Sequence, residues 1–332
     1  MYAMKRNILL LGLIYIAISC SDSRVYTVYT PDVVDTLRMD SVALSEELVM
    51  PTRMIASCGK VVVYQRKGDD VFVLIDISQG GKCSVIGRKG RGPKEFVGVD
   101  VQSIKPVDGG FICMDAGGKE KRISLDGDIE IETASSATFG HPQNGVFVGD
   151  EFIAANVVNG ESEYIVYSSE SEKPRFVSEY PDWTGDKTQS LPFLYMKNMI
   201  SHPDKGLFAS FYVYFRKIRI YDADGDILYD IDVRLPDEFP AFSPAPERQY
   251  FAYASYPCAS ERYIYALCRN SDRESFDTEA PEIQVWDWSG NLKKRYLPDR
   301  NIDLFAVDEE QGLIFGMDID QADKLYYQYF EL

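Results

Sequence analysis

The stretch R219-I-Y-D-A-D-G-D-I-L-Y-D-I231 alternates apolar and polar residues on both sides of a central Asp-Gly. Alternation with a period of two is typical of a half-buried strand, and Asp-Gly is favoured at a hairpin tip because such turns need positive φ. The stretch therefore predicts two antiparallel strands joined by a tight turn. Four other segments have the same plan, some with longer or degenerate tips: 73–86, 121–132, 164–177 and 284–296.

A second unit precedes each of these hairpins, and a sixth copy occurs near the end of the chain. It is a glycine-containing or acidic turn followed by an apolar run, and its copies start roughly 40–55 residues apart. The copies span 58–64, 108–114, 148–155, 204–211, 260–267 and 309–316.

A repeat of about 45 residues with four short strands is the pattern of a β-propeller blade. The chain is therefore predicted to be all-β, a six-bladed β-propeller of four-stranded antiparallel blades. The run from Val33 to Met39, followed by Ser41–Leu44, is predicted to supply the N-terminal strand that closes the last blade. A β-sandwich or two separate β domains are the less favoured alternatives.

The N-terminus reads as a targeting segment. Lys5 and Arg6 precede an apolar run of about eleven residues, which is too short for a membrane-spanning helix but typical of a secretory signal. The run ends in Ala17-Ile18-Ser19-Cys20, which has the form of a bacterial lipobox. We expect a signal peptide over 1–19, lipidation of Cys20, a tether over 20–32 and the propeller over 33–332. The alternatives are an ordinary cleaved signal and a cysteine that stands there by chance.

The negative charge of the chain limits the classes of partner that it is expected to bind. The formal charge is −17, and loss of residues 1–19 removes two basic residues and no acid, which gives −19. Such a body repels the phosphates of nucleic acids, so we expect no nucleic-acid partner. The predicted location is the cell envelope, with a lipid anchor in the membrane.

The segment from Gly87 to Phe96, G-R-K-G-R-G-P-K-E-F, carries three glycines and four basic residues. It fails as a phosphate-binding loop because Pro93 stands where the lysine should be and no helix is predicted to follow. We interpret it as the crossing from blade one to blade two, with Phe96 packed between the blades. The basic side chains have no such structural explanation and are candidates for contact with an anion or a partner: Arg88, Lys89, Arg91 and Lys94.

The lipobox, the six repeats and the segment Gly90-x-Gly92-Pro93-x-Glu95-Phe96 together resemble the TolB-like, six-bladed β-propeller lipoproteins of Bacteroidetes. The resemblance covers nearly the whole chain after the lipobox. It implies the propeller fold and a cell-envelope location, and it carries over no catalytic residues.

Other candidate chemistry has a simpler structural explanation. Lactonase-like propellers hold a metal in the central channel with Asp, Asn and Glu, and Asp115, Asn156 and Asp318 are the candidates for side chains facing the axis. Most other aspartates lie in turns, where the turn explains them. The two histidines, His141 and His202, each precede a proline and are expected to shape loops.

The remaining thiols are five, and an odd number cannot all pair within the chain. Cys58, Cys113 and Cys268 lie in or beside apolar runs and are expected to pack as small hydrophobic residues. Cys258 could bridge to Cys268.

Two long insertions rich in proline and aromatic residues, 179–196 and 234–253, either display a function or only cover an edge or mouth of the channel.

The sequence thus favours a lipid-anchored binding or scaffolding module for a protein or extracellular ligand, without catalytic residues, cofactor or metal. The alternative is a metal-dependent hydrolase or lyase of the lactonase-like propeller type.

Overall fold

The structure, a computed structural model, describes residues 24–29, 34–132, 144–157, 161–168, 171, 173–182, 189–234, 250–269, 271–272 and 281–331. These residues form six antiparallel sheets arranged as the blades of a propeller. The prediction of a six-bladed β-propeller is confirmed.

Three strands precede the first blade and attach to blades that come later in the chain. They are β1 (Arg24–Tyr29), β2 (Asp35–Leu37) and β3 (Asp40–Ala43). Blade one follows with β4 (Pro51–Ser57), β5 (Lys60–Gln65), β6 (Asp70–Asp76), β7 (Lys82–Lys89) and a two-residue strand β8 (Glu95–Phe96) that pairs parallel to β7.

Blades two and three have four strands each. Blade two contains β9 (Lys105–Val107), β10 (Gly110–Asp115), β11 (Lys119–Ser124) and β12 (Ile129–Glu132). Blade three contains β13 (Gly145–Val148), β14 (Glu151–Ala155), β15 (Tyr164–Ser168) and β16 (Arg175–Val177).

The four-residue helix α1 (Leu191–Leu194) comes between blades three and four. Blade four contains β17 (Lys197–Ser201), β18 (Leu207–Tyr212), β19 (Lys217–Asp222) and β20 (Ile227–Arg234). Blade five contains β22 (Cys258–Ala259), β23 (Tyr263–Cys268), β25 (Glu282–Asp287) and β26 (Leu292–Pro298), and a small ribbon pairs β21 (Tyr250–Phe251) with β24 (Ser271–Asp272). Blade six contains β27 (Leu304–Asp308), β28 (Leu313–Met317) and β29 (Lys324–Tyr329).

The N-terminal strands close the ring. β3 pairs antiparallel with β29 and becomes the outer strand of blade six, as the sequence predicts. β2 instead pairs parallel to β26 on the edge of blade five. β1 pairs parallel to β20 on the edge of blade four, so residues 24–29, predicted as part of a tether, are a strand in the structure.

The core lies between neighbouring blades. One buried cluster joins each pair of neighbours, from blades one and two round to blades six and one, so every blade is covered on both faces. Between blades one and two, for example, the rings of Phe72 and Phe111 meet edge to face at 4.8 Å. Because no blade can bury its own faces, the stacking of all six provides the stability.

The antiparallel order within each blade gives the ring two distinct faces. The turn face carries the turns between the first and second strands and between the third and fourth strands. The crossing face carries the passages from one blade to the next. The opening stretch forms the third and fourth strands of blade four, and Asp222 Oδ1 accepts from Asp226 N–H at 2.9 Å in its turn, where Gly225 has a φ of +86°.

The glycine-rich segment is the predicted crossing between blades one and two. Phe96 is fully buried and contacts the Phe72 ring of blade one at 5.5 Å, while the Lys121 ammonium of blade two lies 4.3 Å from its ring centre. Glu95 Oε2 accepts from Gly92 N–H at 2.7 Å. A Cβ at Gly87, where φ is +73°, would lie 2.5 Å from the Phe96 ring. Glycine is therefore required where this loop folds back on the blade.

Candidate functional site

A cavity of about 1010 Å³ lies on the propeller axis and opens on the turn face. All six blades line it, through their inner strands and the turns that follow these strands. Its lining includes nine acidic residues and three basic ones. Its size is at the upper end of the range for pockets that enclose a small ligand.

The rim of the cavity is acidic because the same turn recurs in successive blades. Each blade from two to six places one exposed carboxylate in the turn after its inner strand, and none of the five forms an ion pair with another described residue. These rim carboxylates are Asp108, Asp150, Asp204, Glu261 and Glu310. Blade one has Cys58 at this place. A ring of negative charges around an opening raises the local concentration of cations and repels anions.

Other acids of the rim hold the turns together. Glu309 pairs with Arg262, whose Nε lies 2.8 Å from Oε1, and accepts from the Tyr265 hydroxyl at 3.0 Å. Asp308 accepts backbone N–H groups from Gly59 at 2.7 Å and from Gln311 at 3.1 Å, which joins blade six to blade one. These contacts fix the backbone that carries the rim carboxylates.

Below the rim the walls are largely apolar. The lining there consists mainly of aliphatic and aromatic side chains from the inner strands and, in blade two, from the second strand β10. The apolar wall residues include Ile55, Met114, Phe147, Ile200 and Val307, one from each of five blades. A ligand in the cavity would therefore meet charge at the entrance and apolar surface inside.

Arg53 lies at the inner end of the cavity, near the crossing face. It is the third residue of β4, and only 3% of its surface is exposed. Its Nη1 donates to the Val101 carbonyl, and its guanidinium lies 5.0 Å from the centre of the Tyr256 ring. Its Nε has no hydrogen-bond partner among the described residues. Burial lowers the pKa of Arg53, against the attraction of Tyr256 and other nearby groups.

Two polar residues lie behind Arg53. Burial raises the pKa of Asp100 to about 6, although its carboxylate accepts N–H groups from Gly145 at 3.0 Å and from Gln102 at 3.1 Å. Gln102 Oε1 accepts from Met199 N–H at 2.9 Å, and its Nε2 has no partner within the described chain. These contacts join the crossing after blade one to blades three and four.

The basic residues singled out by the sequence lie elsewhere. β7 ends on the crossing face, so all four side chains lie on the side of the ring opposite the acidic rim. Arg88 lies 3.6 Å from Asp70, and the Lys89 ammonium donates to the Arg66 carbonyl at 3.0 Å. Arg91 and Lys94 are exposed and form no ion pair with a described residue. Cys20, the predicted lipidation site, lies outside the described residues.

The candidates for a metal in the channel do not meet. Asp115 pairs with Lys121 at 2.7 Å, the Asn156 amide donates to the Ser162 carbonyl, and Asp318 caps the 3₁₀ turn Ile319–Gln321. None of the three lines the cavity. Across the described ranges, no three His, Cys, Asp or Glu side chains lie close enough to hold a metal ion.

The predicted structural role of His202 agrees with its contacts. Its Nδ1 accepts N–H groups from Asp204 and Lys205, each at 3.0 Å, and its Nε2 lies 3.0 Å from the Glu261 carbonyl. Burial lowers the pKa of His202, so the ring is neutral with its proton on Nε2. It ties the turn of blade four to that of blade five. His141 lies outside the described residues.

The five described cysteines are free thiols. Cys113 and Cys268 are fully buried, as predicted, and no bridge joins Cys258 to Cys268. The expectation for Cys58 is wrong, because it lies exposed in the turn after β4 with a φ of +53°. The apolar run next to it belongs to β5, which begins only at Lys60.

The turns were predicted from the sequence, but the rim carboxylates that they place around the cavity were not. The repeated unit begins with a glycine-containing or acidic turn in every blade, and alignment of the six units would have placed the rim carboxylates at equivalent positions. Arg53 carries no comparable signal, because a single arginine in an apolar strand does not reveal that it faces the axis.

A model of the family described as TolB-like 6-blade propeller-like matches residues 32–310. The chain belongs to the TolB-like six-bladed propeller family. Among solved structures, a DUF4221-family protein of Bacteroides vulgatus is 10% identical with a TM-score of 0.57, covering 90% of this chain and 98% of its own. A Bacteroides fragilis protein whose name calls it exported is 10% identical with a TM-score of 0.52, covering 93% of this chain and all of its own. These likenesses concern the fold.

No curated protein sequence matches the chain. Within the described residues no helix has the length and apolarity to cross a membrane, and the α-helix found there, α1, has four residues.

Proposed function

We propose that this family member is a binding module of the cell envelope that takes a positively charged ligand or segment of a partner into its axial cavity. The observation that carries the proposal is the unpaired carboxylate that five successive blades each place on the rim. Carboxylates that a fold needs for itself are paired or capped, as Glu309 and Asp308 are. Within the described residues the rim carboxylates form no such ion pair or cap, and they line the entrance of a preformed cavity.

The location in the envelope rests on the predicted signal and lipobox at Cys20. It agrees with the name of the Bacteroides fragilis protein of the same fold. A lipid on Cys20 would make the protein membrane-anchored, with the propeller outside the bilayer.

The lactonase-like alternative needs three or more oxygen ligands that converge on the axis. Besides apolar walls, the described part of the channel holds Arg53, Lys105 and Glu120, and the candidate ligands have separate structural roles. Binding is therefore the function that this geometry supports best.

The crossing face offers a second contact surface in the same proposal. Arg91 and Lys94 are exposed there beside Val97, whose surface is 62% exposed. An anionic partner could bind this surface while the cavity is occupied, which would make the propeller a scaffold with two oppositely charged faces. Charge reversal of Arg91 and Lys94 should then weaken that partner and leave the cavity ligand unaffected, as co-purification and calorimetry would show.

Binding of the peptide amide Lys-Lys-Lys to the folded protein, followed by calorimetry, tests the cavity. The variant D150N/D204N/E261Q removes three rim carboxylates from adjacent blades. We expect it to weaken binding by at least tenfold, because each carboxylate contributes Coulomb attraction near a low-dielectric wall. Raising the salt concentration should weaken binding to the unmodified protein and have little effect on the variant.

The matched control is D126N/D128N/E130Q, which removes three exposed carboxylates at the outer edge of blade two. It changes the net charge by the same amount and should bind the peptide within about twofold of the unmodified protein. Equal weakening by both variants would mean that only the overall charge matters, and the proposed site would be refuted.

A further inference from the structure

The cavity has opposite charges at its two ends. Its rim is acidic, whereas Arg53 at the inner end is the most deeply buried of the three cations in the lining, with 3% of its surface exposed. Arg53 forms no ion pair with any described residue. A buried guanidinium without a counter-ion costs several kcal/mol, and proteins rarely retain one unless a partner binds it.

Groups near Arg53 do not neutralise it. The charge of Asp100 influences Arg53, but both Asp100 carboxylate oxygens accept backbone N–H groups and neither forms an ion pair with the guanidinium. Burial raises the pKa of Cys258 to about 12, so this thiol is uncharged at neutral pH. Val101 offers a neutral carbonyl to one nitrogen of Arg53. The described surroundings therefore leave Arg53 without an ion-pair partner.

An arginine is well suited to a carboxylate, because its planar fork presents two parallel N–H groups. A simple anion would be repelled at the acidic rim before it reached Arg53. The ligand that fits both ends carries a carboxylate at its leading end and a positive charge behind it.

The inner strand of blade one gives the approximate spacing between these charges. Arg53 and Ser57, at the end of β4, are four residues apart, which is about 13 Å in a strand. An extended peptide of about four residues spans the same distance. Its C-terminal side chains would lie against the apolar wall, and its third and fourth residues from the C-terminus would reach the rim.

We propose that the cavity binds the C-terminal end of a peptide chain, with its terminal carboxylate on Arg53, apolar side chains along the wall and basic side chains at the acidic rim. This inference rests on the proposed function, since it names the class of ligand for the same cavity. Arg53 then has a binding role, and the rim selects which C-termini enter.

Three tetrapeptides with blocked N-termini test the proposal: Lys-Lys-Ala-Leu with a free carboxylate, the same peptide as its C-terminal amide, and Leu-Ala-Lys-Lys with a free carboxylate. Calorimetry with the folded protein should show the first binding at least tenfold more tightly than either of the others. The amide lacks the charge for Arg53, and the reversed peptide would bring its lysines to the inner end and leave the rim without a cation.

The variant Arg53→Met should abolish the preference for the acid over the amide, since methionine fills space without charge. Arg53→Lys should retain part of it. Arg88→Met, which alters an exposed arginine on the crossing face, should leave the preference unchanged. Thermal melts report whether each variant is folded, and the comparison of acid with amide on the unmodified protein needs no variant at all.

Equal affinity for acid and amide, with binding that still depends on the rim carboxylates, would overturn this inference and leave the proposed function standing. Failure of all cationic peptides to bind would overturn both. Tight binding of the acid that persists in Arg53→Met would place the carboxylate elsewhere and refute the role of Arg53.

Discussion

A buried charge cluster between blades three and four allows a quantitative test of the packing. Glu163 is fully buried, and its Oε1 accepts from the Lys197 ammonium and from the Tyr212 hydroxyl at 2.6 Å. Its Oε2 accepts from the Tyr221 hydroxyl at 3.0 Å and lies 3.3 Å from Arg219 Nη1. One carboxylate thus satisfies four donors from the neighbouring blade.

The substitution Glu163→Gln removes the charge and keeps the shape. Lys197 would then lose the carboxylate it pairs with and would keep only a neutral amide oxygen and the faces of three tyrosine rings, at 4.7–5.3 Å. Arg219 would keep Asp230, with Nη2 2.7 Å from Oδ2. Because breaking a buried pair leaves an uncompensated charge, we expect the free energy of unfolding to fall by about 3–5 kcal/mol.

The substitution Lys197→Met should cost less, about 1–2 kcal/mol, because Glu163 still has Arg219 and two hydroxyl donors. In the double variant neither remaining residue needs a counter-ion. Its loss should be close to that of Lys197→Met alone, which corresponds to a coupling of about 3–5 kcal/mol, the whole loss expected for Glu163→Gln.

Urea unfolding of the four proteins of this cycle measures the coupling. The control is Asp224→Asn, which removes an exposed partner of Arg175 and should change stability by less than about 0.5 kcal/mol. A loss below 1 kcal/mol for Glu163→Gln, or losses that simply add in the double variant, would refute the interpretation of the cluster as one charge-balanced unit.

Three further predictions concern the loops, the channel and the thiols. Gly87→Ala should lower the free energy of unfolding by about 2–4 kcal/mol, because its Cβ would lie 2.5 Å from the Phe96 ring. The control Gly80→Ala has nearly the same φ and no atom within 4 Å of the new Cβ, so it should lose only the left-handed backbone energy of about 1–2 kcal/mol. Equal losses for the two variants in urea unfolding would exclude the ring contact. Because the pKa of Asp100 is raised to about 6, its native carboxyl keeps a proton that the unfolded chain releases near pH 4, so its contribution to stability falls by about 3 kcal/mol as pH rises from 4 to 6. Asp100→Asn should remove this slope, and parallel stability profiles of the two proteins between pH 4 and 7 would contradict it. Maleimide should modify the exposed Cys58 within minutes. Mass spectrometry should find the fully buried Cys113 and Cys268 unmodified until the protein unfolds.

The blades were predictable because their determinants are local. Each hairpin combines apolar alternation with a turn that needs glycine or asparagine, and both signals lie within about a dozen residues. The segment ending in Glu95 and Phe96 was likewise interpretable, since Pro93 and the missing lysine exclude a phosphate loop.

The parts that were not predictable depend on contacts distant in sequence. β1 and β2 pair as parallel strands with the edges of blades four and five. No turn in the sequence connects them to these edges, so no local signal predicts the pairing. The partners of Glu163 lie 34 to 58 residues further along the chain. Arg53 becomes a candidate binding residue only when six inner strands surround it. The site is therefore a property of the ring, whereas the hairpins are properties of single segments.

The parallel pairing of β1 determines how a lipid anchor would orient the propeller. β20 runs from the turn face to the crossing face, and Arg24 pairs with Tyr229 near its start, so the N-terminal end of β1 lies at the turn face. Three residues lie between Cys20 and Arg24, so a fully extended chain spans at most about 14 Å between their Cα atoms. An acylated Cys20 would thus keep the cavity side of blade four close to the bilayer, and the opening would sample chain ends that emerge from the membrane rather than molecules in the open periplasm or medium.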